Sequence, residues 1–112
     1  VFDARGCGQP LCQPLWVGFM PGAQAAMECP PMVANGVVYV GENNSDVAAF
    51  DARGCGQDVC EPLWQFNTQG SIVNSSPVMV NGTLYVAGSN FGITPNLYVF
   101  KVPGADEAGT AP

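Results

Sequence analysis

The sequence predicts an all-β fold built from antiparallel four-stranded units, and three observations support this. First, nearly the same segment occurs twice, as FDARGCGQPLCQPLW at 2–16 and FDARGCGQDVCEPLW at 50–64. Second, Asn35-Gly36 and Asn81-Gly82 each lie between two apolar, β-branched runs, which is the strongest short-range signal for a β-hairpin. Third, no helix-sized stretch shows helical spacing of apolar residues.

One repeat contains four predicted strands. The first, PPMVANG (30–36), ends in the Asn-Gly turn, and VVYVGENN (37–44) follows it directly. The third, DVAAFDA (46–52), follows a polar turn at 43–45, and the fourth, PLWQFNT (62–68), follows a cysteine-bearing loop. The next repeat begins with SPVMV and TLYVAG around its own Asn-Gly turn. The strands around both turns are apolar on both faces, as expected for a sheet that is covered on each side.

The repeat spacing predicts a larger architecture. The copies are separated by roughly 46–50 residues, a period typical of propeller blades and solenoids. Repeated four-stranded units favour a β-propeller, which commonly has about four to eight blades. On this interpretation residues 1–104 form one full blade flanked by two partial blades, and ADEAGTAP (105–112) is a flexible tail.

An incomplete propeller of this kind leaves two apolar sheet faces uncovered. We expect the remaining blades of a longer chain to cover them. Val1 lies within a strand-like VFDA segment, which also suggests a mature product or a piece of a longer protein. A protein partner, or an oligomer in which several copies close a ring, would complete the core equally well.

Charge and composition exclude several classes of function. The chain has three basic and nine acidic residues, a net charge of −6 and no histidine. An acidic surface repels phosphate backbones and anionic lipids, so we expect no nucleic-acid partner. The absence of histidine from the sequence argues against the usual hydrolase triads and most catalytic zinc sites. The apolar runs have the length of strands, so we expect no membrane insertion.

Four of the five cysteines form two C-x4-C pairs, Cys7 with Cys12 and Cys55 with Cys60. A loop of this length can bring two Cα atoms to the distance that a disulfide needs. A metal site formed by all four cysteines and a thiol redox switch are the alternatives, although redox motifs usually have two residues between the cysteines. Disulfides in loops predict an oxidising compartment, the periplasm or the cell exterior.

The fifth cysteine, Cys29, aligns with Ser75 of the next repeat. A position that accepts either small residue is typical of a buried structural thiol. An odd cysteine in an oxidised protein also leaves open a bridge to a partner outside this chain.

These residues resemble the repeat of the PQQ-like, quinoprotein-type β-propellers of bacterial proteins. In that family each blade contains Pro-apolar-apolar-x-Asn-Gly-x-apolar-Tyr-apolar-Gly, then an Ala-x-Asp-Ala strand, a Gly turn and a Trp. The chain departs from this pattern in lacking the usual Thr before the turn Gly and in its longer cysteine loop. The matching positions are Asp3, Ala4, Gly6, Trp16, Pro31, Asn35, Gly36, Tyr39, Gly41, Ala49, Asp51, Ala52, Gly54, Trp64, Pro77, Asn81, Gly82 and Tyr85.

The resemblance implies that Trp16 and Trp64 pack between neighbouring blades. Binding of a substrate by these Trp side chains is the competing interpretation. The third copy of the strand, LYVFKVPG, lacks both the Asp and the Trp of the repeat.

The resemblance also bears on activity, since PQQ-dependent alcohol and sugar dehydrogenases share the repeat. They hold a quinone beside a calcium ion and use an Asp or similar base. Here Asp3 and Asp51 are equivalent in the repeat, which favours a structural role in a turn, and the family's adjacent-cysteine pair is missing. We therefore expect a non-catalytic, extracytoplasmic scaffold or protein-interaction module without a cofactor. The alternative is a dehydrogenase fragment whose PQQ and calcium lie in blades that are not present.

Overall fold

A computed structural model describes residues 1–22, 30–42, 46–68, 72–73, 76–90 and 94–102. Cys29, the predicted turn at 43–45 and the predicted tail at 105–112 lie outside the described residues. Within them all regular structure is β-strand, which confirms the all-β prediction, and no helix there is long and apolar enough to cross a membrane. The strands are β1 Val17–Gly18, β2 Met32–Ala34, β3 Val37–Gly41, β4 Asp46–Asp51, β5 Val59–Cys60, β6 Trp64–Asn67, β7 Ile72–Val73, β8 Val78–Val80, β9 Thr83–Asn90 and β10 Thr94–Lys101.

The central sheet has four antiparallel strands in the order β2-β3-β4-β6. Its first hairpin turns at Asn35 and Gly36, which have φ angles of 53° and 79°. Positive φ at two successive positions is what a tight hairpin turn requires, and Asn and Gly tolerate it best. The predicted strands of the complete repeat are therefore present in the predicted antiparallel order.

The C-terminal sheet repeats this arrangement. Strand β9 pairs with β10 on one side and with β7 and β8 on the other, and all pairs are antiparallel. Its hairpin turns at Asn81 and Gly82, with φ angles of 48° and 78°. The two sheets thus share the Asn-Gly hairpin on which the sequence prediction rested.

Strands β1 and β5 correct the expectation that all pairing would be antiparallel, because they form a parallel pair. The N–H groups of Val17 and Phe19 donate to the carbonyl oxygens of Asp58 and Cys60, each at 2.8 Å. Strand β1 follows the Trp of one copy, and β5 lies in the cysteine loop of the next copy. The pair arises where these two segments meet in space, and hairpin signals predict only pairing between neighbours in sequence.

The central sheet is packed on both faces. Successive side chains of β4 point to opposite faces of the sheet. Because both faces are covered at this strand, β4 is almost wholly buried. One cluster lies against the C-terminal sheet and consists of Tyr39, Val47, Ala49, Leu84, Val86 and Val102. The other lies on the opposite face and consists of Trp16, Met20, Ala48, Phe50 and Cys60.

The C-terminal sheet is covered on one face only within the described residues. Leu84 and Val86 are buried against the central sheet, whereas Val78, Val80 and Tyr85 on the same hairpin are exposed. Cover on both faces therefore holds for the central sheet. The C-terminal sheet keeps one uncovered apolar face, in agreement with the expectation that an incomplete set of repeats leaves apolar faces exposed.

Candidate functional site

The candidate site consists of the two cysteine loops, which we call the first loop (residues 3–15) and the second loop (residues 51–63). Their ends are closed by equivalent hydrogen bonds. The Leu15 N–H donates to the Val1 carbonyl at 2.7 Å, and the Leu63 N–H donates to the Ala49 carbonyl at 2.6 Å. The sequence repeat is thus also a repeat of backbone geometry.

Each loop begins with an Asp that anchors a turn. A carboxylate oxygen of Asp51 accepts the backbone N–H of Arg53 at 2.9 Å, and its carbonyl accepts the N–H of Gly54 at 2.9 Å. Asp3 makes the same two bonds in the first loop, at 2.9 and 3.0 Å. The repeated Asp therefore has the structural turn role that its repetition suggested.

The same carboxylates pair with the arginines of the turns. Arg5 donates to Asp3 through its Nε and a terminal nitrogen, at 3.1 and 3.0 Å, and Arg53 bonds to Asp51 at the same distances. These side-chain bonds, together with the backbone N–H bond, hold the pKa of each Asp carboxyl below its ordinary value. The charge of each Arg is thus neutralised locally. The first loop has no net charge, whereas Asp58 and Glu61 make the second loop acidic.

The structure joins the cysteines within each loop. Cys7 and Cys12 form one disulfide, with Cα atoms 5.8 Å apart, and Cys55 and Cys60 form the other, with Cα atoms 5.7 Å apart. Each disulfide closes the part of its loop that directly follows the Asp-Arg turn. The loops are thereby braced at two points, at their beginning and across their middle.

Trp16 packs against the central sheet and against the second loop. Its ring centroid is 6.0 Å from that of Phe50, with the planes tilted by 41°. Gly54 of the second loop lies against the same indole, and a Cβ at this position would be 2.8 Å from Trp16 Cδ1. The equivalent Gly6 of the first loop has nothing within 4 Å of its Cβ position.

Trp64 repeats this packing one sheet further along. Its ring centroid is 5.9 Å from that of Phe100 in the C-terminal sheet, with a tilt of 38°, and 6.4 Å from that of Tyr39 in its own sheet. Each Trp thus contacts the sheet of the following copy. Sequence reasoning missed the partners Phe50 and Phe100, although their 50-residue separation, close to the repeat spacing, was a usable signal.

The two loops lie side by side and enclose an open cleft of about 380 Å³. Its walls are Leu15 and Trp16 on one side and residues 52–58 of the second loop on the other. A second groove of about 320 Å³ lies between Pro14 and Val59, next to the β1–β5 pair. Ala52, Gly54 and Gly56 contribute small side chains or none to the wall of the first cleft, so its shape suits the binding of an extended peptide.

The described residues do not fit a calcium and quinone site. Among them, no three His, Cys, Asp or Glu side chains converge so as to hold a cation. The carboxylates of Asp3 and Asp51 are bonded to Arg5 and Arg53. No catalytic step through PQQ or calcium follows from these residues.

Two comparisons with known proteins were made on the sequence of the chain. No protein-family model matches the chain, and no curated protein is significantly similar to it. The resemblance to PQQ-like propellers accordingly rests on the repeat motif.

Proposed function

We propose that this chain is a non-catalytic, extracytoplasmic scaffold, a segment of a larger PQQ-like β-propeller or complex, whose cysteine loops bind a protein partner. The main observation behind the proposal is that the second loop repeats the structure of the first and lies beside it. The two loops have equivalent hydrogen bonds, and each has its own disulfide. Such duplication in adjacent positions provides a continuous, rigid surface.

Rigidity favours binding. Ordering a mobile loop on association costs free energy, and a loop that is already fixed avoids that cost. Each loop is fixed by an Asp-anchored turn and by a disulfide. The loops therefore suit recognition by shape.

The chemistry of the loops suits a protein partner. Leu11 in the first loop is 87 % exposed, and Val59 and Leu63 in the second are also exposed. Exposed aliphatic side chains among polar neighbours such as Gln9 and Gln57 are typical of a protein-binding surface. The net charge of −6 favours a partner with basic groups at its rim.

The disulfides support the location. Two disulfides in a chain of this size persist in an oxidising compartment, since cytosolic reductants keep thiols reduced. This favours the periplasm or the cell exterior.

Site-specific photo-crosslinking in the native host tests the proposal. A photoreactive residue is placed at Gln9 or Gln57, the exposed loop tips, and at Pro30 as an exposed control outside both loops. We expect a discrete adduct with one extracytoplasmic protein from both loop positions and none from Pro30. Equal labelling from all three positions, or no adduct from either loop, would contradict a partner-binding role for the loops.

A further inference from the structure

The outer face of the C-terminal sheet is an apolar surface with nothing against it among the described residues. We call it the outer face and define it by Val78, Val80, Tyr85, Leu97 and Val99. Leu97 is 63 % exposed, Val99 54 % and Tyr85 37 %. These five side chains are uncharged, and the exposed Lys101, which pairs with Thr83, lies beyond Val99 at the end of the same face. The centre of the outer face therefore suits contact with another apolar surface.

The same face of the central sheet is fully buried at its centre. Tyr39 pairs with Ala49 across the central hairpin, and Tyr85 pairs with Val99 in the same way across the C-terminal hairpin. Tyr39, Val47 and Ala49 are all 0 % exposed, because the C-terminal sheet covers them. Within the chain, a face equivalent to the outer face is therefore covered by the inner face of the next four-stranded sheet.

The surface of the C-terminal sheet that covers the central sheet has an equivalent on the other face of the central sheet, and that equivalent is only partly covered. Leu84, Val86 and Phe100 cover the central sheet, and their equivalents in the repeat are Val38, Val40 and Phe50. Val38 and Val40 are half-buried. They line an apolar cleft of about 200 Å³ with Phe50, Trp16, Gly18, Val1 and Pro31. One chain thus carries both halves of its own internal interface.

We propose that a second copy of this chain docks head to tail, its Val38–Val40 cleft receiving the outer face of the first copy. The inference rests on the proposed scaffold role, since it extends the stacking of repeats to neighbouring chains. Such a contact joins two different surfaces, so it either closes a ring or continues as a filament. With two sheets per chain, a ring of roughly four to eight sheets contains roughly two to four copies.

The strand pairing favours a second copy as the occupant. Among the described residues, no strand lies beside β10 in the way that β6 lies beside β4. Strand β1, which directly follows Trp16, belongs to no four-stranded sheet among the described residues. In the proposed contact, this strand of the second copy lies along β10 as β6 lies along β4.

Sedimentation velocity over a range of protein concentrations tests the inference with two matched variants. Leu97→Lys places a charge on the outer face, and Leu11→Lys makes the same change on the first loop. Both residues are exposed in the single chain, so neither change disturbs its fold, which circular dichroism verifies.

We expect the wild type and Leu11→Lys to sediment as the same oligomer. Leu97→Lys weakens self-association roughly tenfold or more, because an unpaired ammonium group is costly to bury, and shifts the protein toward the 11.7 kDa single chain. A wild type that stays monomeric at all concentrations means that a further repeat or a different protein covers the outer face, and overturns the inference. An unchanged oligomer of Leu97→Lys overturns it as well.

The sedimentation and crosslinking experiments can refute the two proposals separately. A monomeric wild type that still forms adducts through Gln9 and Gln57 refutes the docking of a second copy and leaves the scaffold role intact. An oligomer that depends on Leu97 but forms no loop adducts refutes the partner-binding role and retains the interface.

Discussion

Replacement of Gly54 by Ala tests how Trp16 packs between the second loop and the central sheet. Gly54 has a φ angle of 87°, and its Cβ position is 2.8 Å from Trp16 Cδ1. Gly6 has nearly the same φ angle, 85°, and open space around its Cβ position. The chain therefore contains a matched control, since Gly6→Ala introduces the backbone strain alone.

The expected magnitudes follow from these two contributions. An L-residue with this positive φ costs about 1–2 kcal/mol relative to glycine. We expect Gly6→Ala to lower the free energy of unfolding by that amount. Gly54→Ala also forces the buried indole to move, and overpacking of this kind costs a further 1–3 kcal/mol, approximately.

Urea unfolding monitored by far-ultraviolet circular dichroism measures both variants. The Trp16→Leu variant removes the indole. When Gly54→Ala is introduced into this variant, its cost in free energy of unfolding should fall to that of Gly6→Ala. Equal costs for the two glycine variants in the wild-type background would refute the close contact between Gly54 and Trp16.

Three further predictions concern buried and charged groups. The Tyr39 hydroxyl is buried without a hydrogen-bond partner among the described residues, so Tyr39→Phe should leave the free energy of unfolding unchanged or raise it by about 1 kcal/mol. Tyr98→Phe, which removes a bond to the Thr68 carbonyl, should lower it. Replacing either disulfide by two serines should cost about 2 kcal/mol of chain entropy, and more in the second loop, where Cys60 is buried. Because the pKa values of Asp3 and Asp51 are lowered in the fold, these carboxylates stabilise it at pH values above their ordinary pKa of 3.8. The stabilisation is lost as the pH falls below that value. Acid unfolding of the double Asn variant should therefore depend less on pH below that value.

The strands of the central sheet were predictable because their signals are local. The Asn-Gly turn fixes the β2–β3 hairpin, and the alternation of side chains along β4 follows from strand geometry. The β1–β5 pair was not predictable, because two short segments from different copies meet only after the sheets have packed.

The candidate site was predictable in its chemistry and less so in its surroundings. The C-x4-C spacing indicated the cysteine pairs, and the repetition of Asp51 indicated a turn. The contact between Trp16 and Gly54 depends on where the second loop lies relative to the preceding copy of the repeat, which no local pattern encodes. Whether the outer face is covered depends on contacts beyond a single chain, so the propeller itself remains a prediction.

Native mass spectrometry of the protein as isolated from its host tests the central claim most directly. If the chain is a scaffold segment of a larger propeller or complex, the observed species should be heavier than 11.7 kDa and contain this sequence with further repeats, a partner or additional copies. A stable, folded species at the mass of the single chain, with no associated protein at any concentration, would contradict that claim.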